Sequence, residues 1–346
     1  MNGTDYCTQD QYASISDKMS SSVKNIAIVG AGGNVGSFIT LSLLATGKHT
    51  VTAITRESSS SKMPEGVKVA KVNYDDPASL AKAMEGQDAL VITMGVGADK
   101  AIQRSLIDAA AQAGVKYVMP NEFGVNHSNP ELGRDTFLGP PILEVRQYVE
   151  KVAKDTGKDI AWIGLTCSFW YEFSLAGTEA RYGFDFAKKS VTFFDDGNTK
   201  INTSTWPQVG RAVAAIFSLP PPELERRKFT AFYISSFHVS QRDMLGSALR
   251  VTDTQESDWN ISYEPSKERY QRGLGIMKEG GEKRMLGFGI CLYTRVFYPN
   301  GDGTYEDKLD NEMLRLPKEN FDEATRVAIE MAEGADGSIE RYVSRS

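Results

Sequence analysis

The strongest constraint on the fold is a strand-like run that ends directly in a glycine-rich turn. After Asn25, residues 26–29 are apolar and rich in β-branched side chains, and Gly30-Ala31-Gly32-Gly33-Asn34-Val35-Gly36 follows without a break. Residues 37–46 then have a helix-compatible composition and end at Gly47. A strand, a glycine turn and a helix in this order predict the first unit of an open α/β sheet.

The glycine spacing also predicts a ligand. Gly30 lets the chain leave the strand in a tight turn, Gly33 brings backbone N–H groups close to an anion, and Gly36 lets the helix pack against the strand. The helix N-terminus adds about half a positive charge. The turn therefore predicts a site for the pyrophosphate of a dinucleotide. The further turn residues predicted to contact it are Gly32, Asn34 and Val35.

Strand-like and helix-like segments alternate from residue 24 to residue 165. This alternation predicts a Rossmann-type, doubly wound parallel sheet with helices on both faces. Ligands of such sheets bind beyond the carboxyl ends of the strands. The predicted strands after the first are 50–55, 67–72, 89–94, 115–119 and 160–165, and a seventh, 229–234, returns to the sheet.

The composition divides the chain into parts. We predict a disordered leader (1–23), a dinucleotide-binding domain (24–165, joined by 205–240) and a smaller C-terminal substrate-binding region (166–204 and 241–346). The leader is polar and serine-rich, which is typical of disorder. In the substrate-binding region, residues 191–194 followed by Asp195-Asp196-Gly197-Asn198 predict a strand and a hairpin turn.

The bulk composition excludes several classes of protein. A net charge of −6 argues against nucleic acid or an anionic membrane as the main partner. No apolar run approaches the ~20 residues of a transmembrane helix, and the N-terminus has no secretory layout. Three widely spaced cysteines favour a reducing compartment, so we expect a cytoplasmic protein. The histidines lack metal-ligand spacing, so no metal is expected, and His127 and His238 are expected to be structural.

The end of the second predicted strand indicates which dinucleotide binds. Arg56 lies there, 20 positions after Gly36. An acidic residue near this point binds the ribose 2′-OH of NAD, whereas an arginine matches the 2′-phosphate of NADP. Lys62 in the following loop offers a second positive contact, and the adjacent Glu57 weakens the pattern. We therefore expect NADP(H) as the cofactor.

Three further strand ends carry candidate site residues. Thr93-Met94-Gly95 and Asn121-Glu122-Phe123 end the fourth and fifth strands, where the cofactor crosses the sheet. Glu122 is a candidate acid or base, with a structural ion pair as the alternative. The run Phe169-Trp170-Tyr171 follows the sixth strand and predicts the wall of a pocket for a planar substrate, with an apolar core as the alternative. Tyr171 is the candidate proton donor.

The order of these motifs resembles the NmrA-like and isoflavone-reductase-like family of atypical short-chain dehydrogenases. The resemblance covers about residues 24–263, and it implies an NADP-bound Rossmann domain with a smaller substrate domain. Members are NADPH-dependent reductases of aromatic compounds, or regulators that bind the dinucleotide without turnover. The pieces that carry it are the glycine turn, Arg56, Pro120-Asn121-Glu122-Phe123-Gly124, Val145-Arg146, residues 160–173, Thr205-Trp206-Pro207-Gln208-Val209-Gly210-Arg211 and Ile234-Ser235-Ser236-Phe237.

The resemblance also shows a departure. It implies that Arg146 contacts the cofactor and that a lysine four positions earlier relays a proton beside the nicotinamide. This chain has Ile142 at that position, and isoleucine neither donates nor accepts a proton. The family's asparagine after the sixth strand is replaced by Cys167.

We therefore expect an NADPH-dependent oxidoreductase that reduces a carbonyl or conjugated alkene of a small aromatic or polyketide-like compound in secondary metabolism. The expected partner is a small aromatic substrate, without nucleic acid or membrane, and the chain is expected to be a monomer or homodimer. The missing lysine favours an alternative, a redox-sensing regulator that binds NADP without turnover. A non-redox isomerase or cyclase on the same fold is a third possibility.

Overall fold

The computed structural model describes residues 22–95 and 98–334. The predicted disordered leader therefore lies outside the described residues except for its last two. Of these, Val23 is buried against the apolar core. The end of the predicted substrate-binding region, residues 335–346, also lies outside the described residues.

Strands and helices alternate through the first half of the chain and become less regular after it. The strands are β1 (Asn25–Val29), β2 (Thr50–Arg56), β3 (Lys68–Val72), β4 (Ala89–Ile92), β5 (Tyr117–Met119), β6 (Ala161–Thr166), β7 (Phe169–Trp170), β8 (Phe184–Asp185), β9 (Ser190–Phe194), β10 (Ile201–Ser204), β11 (Thr230–Tyr233), β12 (Phe237–Val239) and β13 (Asn260–Glu264). The helices are α1 (Asn34–Ala45), α2 (Pro77–Met84), α3 (Lys100–Ala113), α4 (Pro130–Asp135), α5 (Gly139–Thr156), α6 (Tyr171–Leu175), α7 (Trp206–Phe217), α8 (Pro221–Arg226), α9 (Gln241–Thr252), α10 (Ser266–Glu279), α11 (Lys283–Arg295) and α12 (Phe321–Ala332). Short 3₁₀ turns occupy Glu256–Asp258 and Glu306–Lys308.

Seven strands form one parallel sheet in the order β11-β6-β5-β4-β1-β2-β3. The order reverses direction beside β1, which pairs with β2 on one side and β4 on the other. Such a reversal leaves a crevice at the carboxyl ends of the strands, where ligands of doubly wound sheets bind. The predicted Rossmann-type fold is confirmed.

Helices cover both faces of this sheet, which explains why its central strands are almost entirely apolar. On one face the core joins Phe38 of α1 to Trp206 of α7, and their rings stack 6.0 Å apart. On the other face Leu80 of α2, Leu106 of α3 and Val149 of α5 are fully buried. The glycine turn is thus held by a rigid, doubly covered sheet.

The rest of the chain has two small sheets and a separate aromatic core. The sheets are β12-β10-β7 and β13-β9-β8. The core includes Tyr182, Phe194 and Phe297, whose rings meet edge to face. The predicted hairpin at residues 195–198 is wrong: β9 pairs with β8 and β13, while the following strand, β10, belongs to the other small sheet. β9 instead forms a short antiparallel pair with β8, which precedes it in the chain, and its parallel partner β13 comes from a distant segment.

No helix within residues 22–95 and 98–334 is long and apolar enough to cross a membrane.

Candidate active site

A cleft of about 580 Å³ lies beyond the carboxyl ends of the central strands. Its walls come from the glycine turn, the ends of β4 and β5, the turn before α5, and the segments that follow β6. The lining residues are Gly33, Asn34, Val35, Gly36, Thr93, Met94, Gly95, Ala98, Gln103, Asn121, Glu122, Phe123, Gly124, His127, Phe137, Leu138, Pro141, Ile142, Val145, Trp170, Phe173 and Phe288. The cleft joins the predicted dinucleotide site to an apolar chamber.

The glycine turn is packed so closely that side chains cannot replace its glycines. Gly30 has a φ of 83°, and a Cβ there would lie 2.6 Å from Thr93 Oγ1. A Cβ on Gly36 would overlap the Gly30 carbonyl oxygen and lie 2.9 Å from Thr93 Oγ1. Thr93 is itself fixed, because its hydroxyl donates to the Val29 carbonyl at 2.8 Å. The turn therefore presents backbone to the cleft.

The N-terminus of α1 is free to receive an anion. Gly33 is its N-cap and gives no side-chain hydrogen bond, and no acidic residue lies in the first turn. The N–H groups of an uncapped first turn, with the helix dipole behind them, form an anion site. The residues present thus fit a dinucleotide pyrophosphate, although the individual contacts remain predictions.

The two predicted 2′-phosphate ligands lie beside this turn. Arg56 is the exposed last residue of β2, the neighbour of β1. Lys62 is exposed in the loop that follows, and its carbonyl oxygen lies 2.6 Å from the position of a Cβ on Gly32. This loop therefore passes over the glycine turn, as a cover for the adenosine end would.

Asn121 joins the ends of β4 and β5. Its side-chain oxygen accepts from the Met94 N–H at 3.1 Å, and its amide donates to the Met94 carbonyl at 2.9 Å. The Asn121 N–H in turn donates to Gln103 Oε1 at 2.9 Å. Asn121 lines the cleft as predicted, but its side chain fixes the floor of the cleft. Gln103, which the sequence analysis missed, supports it from α3.

Glu122 and Arg146 form a buried ion pair. Arg146 Nε and one terminal nitrogen donate to the two Glu122 oxygens, each at 2.9 Å, and the guanidinium lies 4.4 Å from the ring centre of Trp162. Burial raises the pKa of the Glu122 carboxyl, and Arg146 opposes this rise. This geometry supports the structural alternative for Glu122, an ion pair, over a role as acid or base. Arg146 is directed to Glu122 and Trp162, and its cofactor contact stays a prediction.

Only one residue of the predicted aromatic wall faces the cleft. Trp170 lines it and contacts Phe173 and Trp206, with ring centres 6.0 and 5.9 Å away. Phe169 belongs instead to the aromatic core of the C-terminal part, 4.5 Å from the Tyr293 ring. Successive side chains of a strand point to opposite faces, which separates these two neighbours. The pocket prediction for Phe169 is therefore wrong.

Tyr171 does not reach the cleft. It is fully buried, and its hydroxyl shares a 2.7 Å hydrogen bond with Thr325. Burial raises its phenol pKa far above the ordinary value. Its predicted roles as proton donor and substrate contact are wrong, because α6 begins at this residue and turns its side chain into the C-terminal core.

The chamber opposite the glycine turn is formed by residues that the sequence analysis missed. Phe137 and Phe288 face each other with ring centres 6.1 Å apart, and Leu138 and Pro141 lie beside them. Phe137 holds a φ of 62°, which is strained for a bulky residue. Ile142, at the position of the family lysine, adds an apolar side chain to the same wall.

His127 also lines the cleft, and sequence analysis expected it to be structural. It is 2% exposed, and neither ring nitrogen has a hydrogen-bond partner among the described residues. Burial, helped by the charge of Arg146, lowers its pKa from 6.5 to about 3. The ring is therefore neutral at physiological pH. Its place three residues after Gly124, at a strand end, was the available signal.

Comparison with known proteins agrees with this geometry. Residues 22–177 match the profile of the NmrA-like family. The resemblance found in the motifs is thus confirmed, and it extends to solved structures related by fold.

The chain is similar to oxidoreductase aprR of Aspergillus flavus, with 28% identity over 301 residues that cover 86% of this chain and 96% of that protein. The solved structure of AtPrR2 with NADP+ and (+)pinoresinol has a TM-score of 0.70 at 18% identity, covering 89% of this chain and 99% of that one. An isoflavone reductase structure has a TM-score of 0.66 at 19% identity, covering 90% and 100%. These findings support an NADPH-dependent oxidoreductase with NADP(H) as its cofactor.

Proposed function

We propose that this chain reduces a carbonyl or conjugated alkene of a neutral, planar aromatic compound with NADPH. The single observation that carries the proposal is the cleft itself, in which an uncapped helix N-terminus and glycine turn open into an aromatic chamber. When bound, NADPH supplies the hydride. The protein supplies position, orientation and exclusion of water.

The cofactor end is built from backbone and two cations. The α1 N-terminus and Gly33 are suited to the pyrophosphate, and Arg56 and Lys62 lie beside the same turn, where a 2′-phosphate would extend. A planar guanidinium binds phosphate with two parallel hydrogen bonds, which explains a preference for NADPH over NADH. The AtPrR2 structure, which contains NADP+, supports this assignment.

The chamber favours a neutral aromatic substrate. Its wall contains Phe137, Trp170, Phe173 and Phe288, and the one lining carboxylate, Glu122, is neutralised by Arg146. A carboxylate or phosphate on the substrate would find no free cation among the described lining residues. Aromatic rings instead gain apolar burial and edge or face contacts. Pinoresinol, bound in the AtPrR2 structure, is also aromatic.

Ile142 favours one alternative, a protein that binds NADP without turnover. A missing general acid costs roughly 10²–10⁴-fold in rate. A reductase without the lysine would still transfer hydride, whereas a regulator needs no proton donor at all. The two functions differ in whether any aromatic carbonyl compound is turned over.

The proposal is tested by following NADPH oxidation with a panel of aromatic ketones, enones and quinones, together with calorimetric binding of NADP+. We expect NADP+ binding and turnover of at least one neutral aromatic compound, with carboxylated analogues excluded. Binding of NADP+ without turnover of any compound contradicts the reductase and supports the regulator. Failure to bind NADP+ contradicts both.

Ile142→Lys sharpens this test, with Leu143→Lys as the matched control. Ile142 lines the cleft, whereas its neighbour Leu143 is 38% exposed and lies outside the lining. A lysine at 142 should raise the turnover number of a slow reductase, and the same charge at 143 should not. Equal effects of the two substitutions would show that position 142 is not beside the reacting atoms.

A further inference from the structure

We propose that the His127 ring donates a hydrogen bond to the carbonyl oxygen of the substrate, in place of the proton-donating side chain that Ile142 lacks. This inference rests on the proposed reductase function and deepens it. It assigns a direct substrate contact to a residue that neither the family comparison nor the sequence motifs singled out.

Elimination among the polar side chains of the cleft gives the first support. Thr93 is bonded to Val29, Glu122 to Arg146, and Asn121 to Met94. These bonds use the groups that would otherwise face a ligand.

The remaining polar side chains of the lining have other neighbours. Gln103 accepts from the Asn121 backbone, the Trp170 indole N–H lies next to the Cys167 thiol, and Asn34 belongs to the glycine turn at the anion end. His127 and Trp170 are thus the two lining residues with buried polar atoms that lack a hydrogen-bond partner within residues 22–95 and 98–334. The indole N–H lies against the Cys167 thiol, so His127 is the residue left to contact a polar group of the substrate.

The cost of burial gives the second support. A buried polar group without a partner destabilises a fold by about 1–3 kcal/mol, so native proteins rarely retain one. His127 is 2% exposed and leaves both ring nitrogens unpartnered. A substrate carbonyl in the cleft would provide an acceptor for its N–H.

The backbone around His127 holds the ring in place. Asn126 Oδ1 accepts from the Ser128 N–H at 3.1 Å and from the Tyr233 hydroxyl at 3.2 Å, which fixes the residues on both sides. The ring lies against Gly124, with Nε2 3.5 Å from the position of a Cβ there. Preorganised donors of this kind stabilise charge without reorganisation during the reaction.

The chemistry suits a neutral imidazole. As the carbonyl carbon gains the hydride, the π electrons of the C=O bond move to oxygen, and the His127 N–H stabilises the growing negative charge. A proton from water then completes the alcohol, and the imidazole keeps its own proton. A neutral imidazole has one donor and one acceptor nitrogen, so one tautomer provides this contact. The charged groups nearby are Glu122 and Arg146, which neutralise each other.

The test uses binding to the NADP+-saturated chain, in which no turnover occurs. The probes are 2-acetylnaphthalene and 2-ethylnaphthalene, which have similar shape and differ in the carbonyl group. Wild type should bind the ketone roughly two- to tenfold more tightly than the hydrocarbon, the value of one hydrogen bond. His127→Leu should abolish this preference, and His127→Gln, which keeps an N–H donor, should retain part of it.

His238→Leu is the matched control, because His238 bonds to Thr304 outside the cleft lining. It should leave the preference unchanged. An equal ketone preference in His127→Leu and wild type, with NADP+ affinity intact, would overturn the His127 contact and leave the reductase proposal standing. If wild type does not bind NADP+ at all, that result would instead contradict the proposed reductase function.

If the leucine variant does not fold, the imidazole N–H resonance of wild type decides the question. It should shift downfield when the ketone binds and stay unchanged with the hydrocarbon. Identical spectra with the two probes would overturn the proposal. Steady-state kinetics give a further measurement. The turnover number for 2-acetylnaphthalene should fall roughly 10²-fold in His127→Leu, as expected for the loss of one oxyanion donor.

Discussion

The two walls of the cleft are built in different ways. The glycine turn presents backbone, and at Gly30 and Gly36 there is no space for even a methyl group beside Thr93. The opposite wall presents side chains, above all Trp170 and the facing pair Phe137 and Phe288. A wall made of backbone fixes one ligand and tolerates little change, whereas a wall made of side chains can be altered one residue at a time. The comparison predicts large effects on one side and graded effects on the other.

Gly36→Ala should have the largest effect. Its Cβ would overlap the Gly30 carbonyl oxygen in the backbone of the turn, which cannot move without displacing β1. We expect loss of NADP+ affinity by more than about 100-fold, with a lower melting temperature, measured by calorimetry and thermal unfolding. Gly275→Ala is the control, since no heavy atom lies within 4 Å of its Cβ position in α10. It should bind NADP+ normally and gain up to about 1 kcal/mol of stability. Normal NADP+ binding by Gly36→Ala would refute the close packing.

Arg56→Ala should have the next largest effect and should separate the two cofactors. Losing charge-assisted hydrogen bonds to a 2′-phosphate costs about 1.5–3 kcal/mol, so the Kd for NADPH should rise roughly 10–100-fold while that for NADH changes little. Fluorescence titration with both dinucleotides measures this. Arg326→Ala removes a surface arginine of α12 that pairs with Glu323 and should leave both affinities unchanged. A similar loss for NADPH and NADH would remove Arg56 from the 2′-phosphate site.

Trp170→Ala should act on the substrate and not on the cofactor. The lost ring contact and apolar area should lower kcat/KM for an aromatic substrate roughly tenfold, through KM, with the Kd for NADP+ nearly unchanged. Tyr263→Ala, at an aromatic side chain that is 58% exposed, is the control and should change neither quantity. If Trp170→Ala weakens NADP+ binding as much as it weakens substrate binding, the two walls do not act separately.

The smallest effect should appear in the pH dependence of stability. An unfolded chain protonates His127 below about pH 6.5, whereas the folded chain resists protonation until about pH 3. The free energy of unfolding should therefore fall on acidification through this window, by at most about 1.4 kcal/mol per pH unit. Urea unfolding at pH 7 and pH 5 should show a smaller fall in His127→Gln than in wild type. His49, whose pKa burial also lowers, is present in both proteins and does not affect the difference. Parallel falls would mean that His127 is charged or exposed in the fold.

The sequence predicts the first wall far better than the second. The glycine turn, the strand ends and the alternation of strands with helices follow from local signals, because a strand, turn and helix each have their own pattern. Trp170 was found because it lies a few residues after the end of β6. Phe137 and Phe288, by contrast, meet across 151 positions (288 − 137). No pattern within one segment predicts that contact.

The site residues that the sequence predicted wrongly or missed share one physical cause. Partners that are distant in the chain decide which side chains are buried and which polar groups are paired. Arg146 and Glu122 pair with each other from separate segments, which occupies both Glu122 oxygens. The Tyr171 hydroxyl forms a hydrogen bond with Thr325, and the Phe169 ring packs against Tyr293; both partners lie far along the chain. His127 was passed over for the opposite reason, since nothing in the sequence shows that a histidine will lack a partner.

The direct passage from β6 to β7 limits how the cleft can open. Only Cys167 and Ser168 separate the two strands, and their N–H groups both donate to the Gly124 carbonyl, at 3.1 and 2.8 Å. A chain segment this short and this firmly tied cannot serve as a flexible hinge between rigid bodies. We therefore expect substrate to enter by rotation of single side chains such as Phe137 and Phe288, on the nanosecond scale, and not by slow swinging of one half of the molecule against the other.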